Sequence, residues 1–87
     1  MIILFFASNW SGSSQLLMEN LKQVQNGYAD HIYFLTLNIE EWPRTAETFQ
    51  IHSVPELIFL SRGEVVEHLK GVVSRGLLSR KLDELIE

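Results

Sequence analysis

Residues 1–14 read MIILFFASNWSGSS, and the order of side chains in this stretch decides the fold. Met1 to Ala7 is a continuous apolar run with β-branched and aromatic members, too short for a helix. It predicts a strand covered on both faces and therefore central in its sheet. Polar residues end the run, and from Ser11 the period changes. Leu17, Leu21 and Val24 recur at i, i+4 and i+7 with Leu16 and Met18 beside them, the spacing of an amphipathic helix. Ser11 suits its N-cap, because a serine oxygen accepts from the free N–H groups of a first turn. Asn26-Gly27 is expected to close the helix as a C-cap.

Outward from this unit the pattern repeats with variations. His31 to Leu37 has no polar face and reads as a second strand, so a helix joins two parallel strands in a right-handed crossover. Pro43 opens a short connecting helix through about Phe49, with Glu40 and Glu41 as a solvated cluster near its positive end and Trp42 shielding the turn. Leu57 to Leu60 and Glu64 to Leu69 are strands of a hairpin around Ser61-Arg62-Gly63, where glycine supplies a positive φ. Ser74 caps a last helix with the stripe Leu78, Leu82 and Leu85, in spite of a Gly76 that costs about 1 kcal/mol relative to alanine. The expected fold is α/β, βαβ-α-ββα, with a four-stranded mixed sheet covered by helices on both faces, and residues 1–87 form one domain.

Composition narrows the function. An 87-residue chain buries roughly 60 to 65% of its unfolded surface, and 46% hydrophobic content is enough for such a core. The net charge is −4 and the seven Lys and Arg are scattered, so the basic footprint of a nucleic-acid binder is missing. No apolar stretch approaches the roughly 18 residues of a membrane span, and the opening run has no basic flank of a signal peptide, so a cytoplasmic location is expected. There is no cysteine. His31, His52 and His68 lack metal-ligand spacing, and neither a metal nor a cofactor is expected.

Several motifs together resemble the thioredoxin family. Trp10-Ser11-Gly12-Ser13-Ser14 is similar to the redox loop W-C-G-x-C with hydroxyls in place of both sulfurs. Asn38-Ile39-Glu40 resembles the N-I-D after the next strand, and Ser53-Val54-Pro55 resembles the segment that carries the family's cis-proline. Gly63 and Gly71 fall at matching intervals. The resemblance runs from the family's first central strand to its C-terminus and leaves out its opening strand and helix. The strand at 31–37, which that opening strand would cover, is then a sheet edge, left either solvated, as in glutaredoxin-like proteins of similar length, or paired in a homodimer through it.

The resemblance implies roles for particular residues. Ser11 takes the position of the nucleophilic cysteine and Ser14 that of the resolving one. An N-cap accounts for Ser11 alone, whereas a replaced redox pair also accounts for Trp10, Gly12 and Ser14. Serine keeps the geometry and loses the chemistry, since a thiolate attacks disulfides and a hydroxyl does not. The family's buried acid falls at Phe5 and its lysine partner at Thr36. Trp10, Gly12, Ser13, Ile39, Ser53, Val54, Pro55, Gly71 and Val72 map onto the peptide-contact surface, where a substrate strand pairs with the residue before the proline.

The implied partners are extended peptide segments or disulfide-bearing proteins, and a thioredoxin-reductase-like protein for a cysteine form. Two functions follow: a disulfide oxidoreductase made redox-inactive by serine, or a redox-silent peptide-binding module. A glutathione-binding role ranks below both, because no second helical domain completes such a site. A Ser-His triad is set aside, since His52 has no acidic partner in view. Glu56, after Pro55, reads most plainly as an exposed glutamate at a strand start, with tuning of the charge of incoming peptides as the alternative.

Overall fold

The computed structural model describes residues 1–86. Strand β1 (Ile2–Ala7) leads into α1 (Gly12–Gln25), β2 (Tyr33–Asn38), the short α2 (Pro43–Thr48), β3 (Glu56–Ser61), β4 (Glu64–Lys70) and α3 (Arg75–Leu85). The sheet order is β2-β1-β3-β4. β1 is parallel to β2 and antiparallel to β3, and β3 pairs antiparallel with β4. The apolar opening run is thus internal to a mixed sheet, where both of its faces meet side chains rather than water.

Alternation along β1 divides the core. Ile3 and Phe5 face Leu17, Leu21 and Val24 of α1 and Leu78 and Leu82 of α3. Leu4 and Phe6 face the other way, with Ile58, Ala46 of α2 and the half-buried Phe49 and Ile51. Complete burial of each such side chain contributes about 1.5–3 kcal/mol, so the eleven-residue cluster on the α1–α3 side is the larger stabilising layer. No helix among the described residues is long and apolar enough to cross a membrane.

Caps follow the sequence closely at two helix starts. Ser11 Oγ accepts from Ser14 N–H at 3.0 Å, and Ser74 Oγ accepts from Leu77 N–H at 3.1 Å. The end of α1 differs from expectation. Asn26 stays right-handed at φ −60°, and the chain runs on into a 3-10 turn, Asn26–Tyr28, instead of stopping at a left-handed glycine. The hydroxyl of Tyr28 explains the extra turn: it donates to Ser79 O at 3.2 Å and Asp83 at 2.6 Å, which docks the turn on α3. The second strand begins at Tyr33 and not at His31, because Ile32 turns into the α1–α3 core ahead of the ladder. In the hairpin, Arg62 and Gly63 both have positive φ, at 53° and 80°.

Candidate functional site

Topology gathers the expected site residues at one end of the sheet. Phe6 pairs with Glu56, Ala7 with Asn38, and Glu56 with Lys70. The ends of β1, β2 and β4 and the beginning of β3 therefore share one edge, and the loops that leave from it carry Trp10 and Ser11, Ile39, Ser53 to Pro55, and Gly71 and Val72. The start of α1, with Gly12, Ser13 and Ser14, lies at the same end.

A set of short hydrogen bonds fixes the loop before α1. Ser14 is buried, and its Oγ accepts from Ser8 N–H at 3.3 Å. Ser8 Oγ accepts from Trp10 N–H at 3.2 Å and donates to Glu40 Oε1. Asn38 Oδ1 accepts from Glu40 N–H at 2.8 Å, and Ile39 N–H donates to Ala7 O at 3.0 Å. Ser8, Asn38 and Glu40 thus tie the first loop to the second. Sequence reasoning missed Ser8; its only signal is a polar residue directly after an apolar strand. Glu40, expected as part of a solvated pair, is exposed but serves as this tie.

Chemically, both candidate serines are engaged as acceptors. Ser11 Oγ faces the N–H of Ser14 and Ser14 Oγ that of Ser8, and neither has a side-chain base as hydrogen-bond partner. A hydroxyl with no proton acceptor is a poor nucleophile. An anion at Ser11 would meet the N–H groups and positive end of a fourteen-residue helix, the environment that lowers a thiol's pKa.

The third loop supplies free backbone. The Val54–Pro55 peptide is cis. Among the described residues, neither Ser53 nor Val54 takes part in a backbone hydrogen bond, and β3 begins only at Glu56. Pro55 O accepts from Gly71 N–H at 2.9 Å, which holds the fourth loop against the third, and Gly71 makes that approach at φ 81°. Around these groups the surface is apolar: Trp10 is 89% exposed and Val72 43%.

Glu56 departs from expectation. Its side chain is buried, not exposed, because residue 56 points to the face shared with Phe6 and α2. Oε2 lies 3.6 Å from His68 Nε2, and Oε1 lies 4.0 Å from Lys70 Nζ, across the β3–β4 ladder. Neither Oε2 nor Nε2 has a hydrogen-bond partner. The carboxyl therefore lies within the sheet face beside these two side chains of β4, and not on the surface.

Phe5 and Thr36 occupy neighbouring strands in register. Phe5 is 1% exposed, while Thr36 is on the surface. Behind Ser14 a cavity of about 190 Å³ is lined by Phe5, Met18 and Thr36 among others, and a neighbouring one of about 180 Å³ continues along Phe5, Met18, Phe34 and Thr36. Titration shifts arise away from this region. Lys81 Nζ, 2.8 Å from Glu67, holds that carboxyl below its usual range by hydrogen bonding, and the Lys81 ammonium is raised in return. Hydrogen bonding to Asp83 raises the Tyr28 phenol. No group of three or more His, Cys, Asp or Glu among the described residues is placed to hold a metal ion.

Known proteins resemble this chain in sequence and in fold. The family profile described as Thioredoxin matches residues 1–84. A thioredoxin of Buchnera aphidicola subsp. Acyrthosiphon pisum is 33% identical over 81 residues, 93% of this chain and 75% of the relative. A thioredoxin of Chlorobaculum thiosulfatiphilum is 26% identical over 85 residues, 98% of this chain and 79% of the relative. Among solved structures, a malarial protein superposes with a TM-score of 0.91 at 21% identity, covering 99% of this chain and 97% of that one. Thioredoxin-2, described as a component of malaria parasite protein secretion machinery, also gives 0.91, at 22% identity, over 95% and 81%. At these identities the two structures speak for the fold alone.

Proposed function

Because this chain belongs to the thioredoxin family and carries no thiol, we propose that it binds extended peptide segments at the sheet end that bears Ser11 and Val54, without exchanging electrons. The unpaired backbone of Ser53 and Val54 carries this reading. An extended segment would add to that backbone as a strand, and the exposed Trp10 and Val72 would contact its apolar side chains. Disulfide-bearing proteins, the substrates of the family, present such segments. The test is an amide-resolved titration with an insulin B-chain peptide. Shifts at Ser53, Val54, Gly71 and the Trp10 indole are expected; saturation with no change at these groups would refute the reading.

One observation favours a second reading, a disulfide oxidoreductase whose cysteines have been replaced. Ser11 Oγ already accepts the Ser14 N–H that would stabilise a thiolate at that atom. The double variant Ser11→Cys with Ser14→Cys is then expected to reduce insulin disulfides and to accept electrons from a thioredoxin reductase. A folded double variant with no turnover would remove this reading and leave the peptide-binding one standing.

A further inference from the structure

The two edges of the sheet are built differently. β4 carries Glu64, Glu67, His68 and Lys70 among its seven residues, and its register with β3 is irregular between Phe59 and Leu60. Charges and a bulge are the devices that stop an edge strand from pairing with another chain. β2, at the opposite edge, reads Tyr-Phe-Leu-Thr-Leu-Asn over Tyr33–Asn38, with no charge, proline or glycine and an unbroken register to β1.

The backbone of β2 is half used. Tyr33 N–H donates to Met1 O at 2.9 Å and Ile39 N–H to Ala7 O at 3.0 Å, so odd-numbered residues turn their groups toward β1. By the alternation of a parallel ladder, Phe34 and Thr36 turn N–H and C=O away from the sheet. The side chains add to the exposed edge. Tyr33 is 76% and Leu35 50% exposed, on the face that α2 covers only at its other end. Tyr33, Ile2, Leu60 and Val65 form a row across that face, and all but Leu60 are exposed. Phe34 and Thr36 lie on the opposite face, where the two cavities lined by Phe5 and Met18 open beside them.

We propose that β2 is a self-pairing edge: two copies of this chain join antiparallel through Tyr33–Asn38, about a two-fold axis at Leu35, into one continuous eight-stranded sheet. The register follows from the strand itself. With Leu35 opposite the partner's Leu35, Phe34 stands opposite the partner's Thr36, and the two exchange both N–H···O bonds through the outward groups. The symmetric pair does the same. Tyr33 meets the partner's Leu37, an aromatic–aliphatic cross-strand pair. Each Phe34 arrives beside Thr36 of the other copy, where Phe5 and Met18 give the adjoining cavities an apolar floor and Lys22 and Gln25 form part of the wall. A second copy fits because the strand is uncharged on both sides of the axis, so no like charges are opposed although each chain carries −4.

Sedimentation equilibrium on the intact chain tests the pairing. The wild type is expected at twice its 10.0 kDa mass at high concentration. Thr36→Pro removes an outward N–H that β1 does not use, and it should raise the dissociation constant at least about tenfold. Leu35→Lys and Leu35→Glu each place like charges opposite one another at the axis and should be monomeric alone, yet form a dimer when mixed. Leu35 is half-exposed, so these variants keep the fold, which circular dichroism checks. A monomeric wild type overturns the proposal. So does a dimer that persists in Thr36→Pro and dissolves on Val65→Glu, because the row across the sheet face and not the edge would then be the interface.

Discussion

Replacing Phe5 by Asp tests whether the centre of this sheet rejects a carboxylate at the position where the family resemblance implies a buried acid. Phe5 is 1% exposed, between Leu17 and Leu21 of α1 and the neighbouring strands. Removing such a ring costs about 3–5 kcal/mol, and both Phe5→Asp and the uncharged control Phe5→Asn lose it. Against a stability of about 4–13 kcal/mol for a chain of this length, either variant is close to its limit, so both belong in a sulfate buffer that strengthens burial equally.

The charge alone separates the two variants. A buried aspartic acid without a cationic partner has its folded pKa raised above the unfolded value of about 3.9. Its contribution is then fully present below about pH 4 and is lost as pH rises toward the folded pKa, at up to about 1.4 kcal/mol per pH unit. Urea unfolding from pH 4 to 8 should show Phe5→Asp falling progressively below Phe5→Asn. Parallel curves would refute the reasoning. They would mean that water in the adjoining cavity of about 190 Å³ hydrates the carboxylate as well as bulk solvent does.

Further outcomes follow from other contacts. Ser11→Ala removes the acceptor for Ser14 N–H and should lower urea-unfolding stability by about 1 kcal/mol. Glu67, held low by Lys81, contributes stability above the unfolded glutamate pKa and loses it as pH falls through the depressed folded one, so Glu67→Gln should flatten the acid limb of a Tm–pH curve. His68→Val removes the polar side chain that stands 3.6 Å from the buried Glu56 carboxyl and should lower urea-unfolding stability. Adding Glu56→Leu should recover most of that loss in the same unfolding assay. Leu82→Ala, in the α3 stripe, should cost about 2–5 kcal/mol by calorimetry.

Much of the architecture is legible in local patterns because each pattern answers to one strong force. The unbroken apolar run of residues 1–7 has no polar face to turn to water, so it must be internal, and β1 is. Ser11 and Ser74 are read correctly as caps because an N-cap is decided within four residues. The end of α1 is not decided locally: Tyr28 reaches across to Asp83, 55 residues away, and that bond carries the chain past the Asn-Gly signal. Glu56 is misread for the same reason. A glutamate after a proline looks exposed until the β4 register brings His68 and Lys70 beside it. At the site, the serines and the proline stand out by type and spacing, whereas Ser8 is chosen only by the three-dimensional meeting of two loops.

Peptide addition at Val54 is tested most directly with one introduced thiol. Ser11→Cys carries the only sulfhydryl in the chain, so its thiolate attacks a disulfide-linked insulin peptide, displaces one half as a thiolate and keeps the other as a mixed disulfide. Hydrogen exchange is then read at the Val54 amide in the adduct and in the unadducted variant. Marked slowing in the adduct is expected, because the tethered segment pairs with that N–H. Equal rates in the two species would contradict the account, since a peptide held at residue 11 would be leaving Val54 open to water.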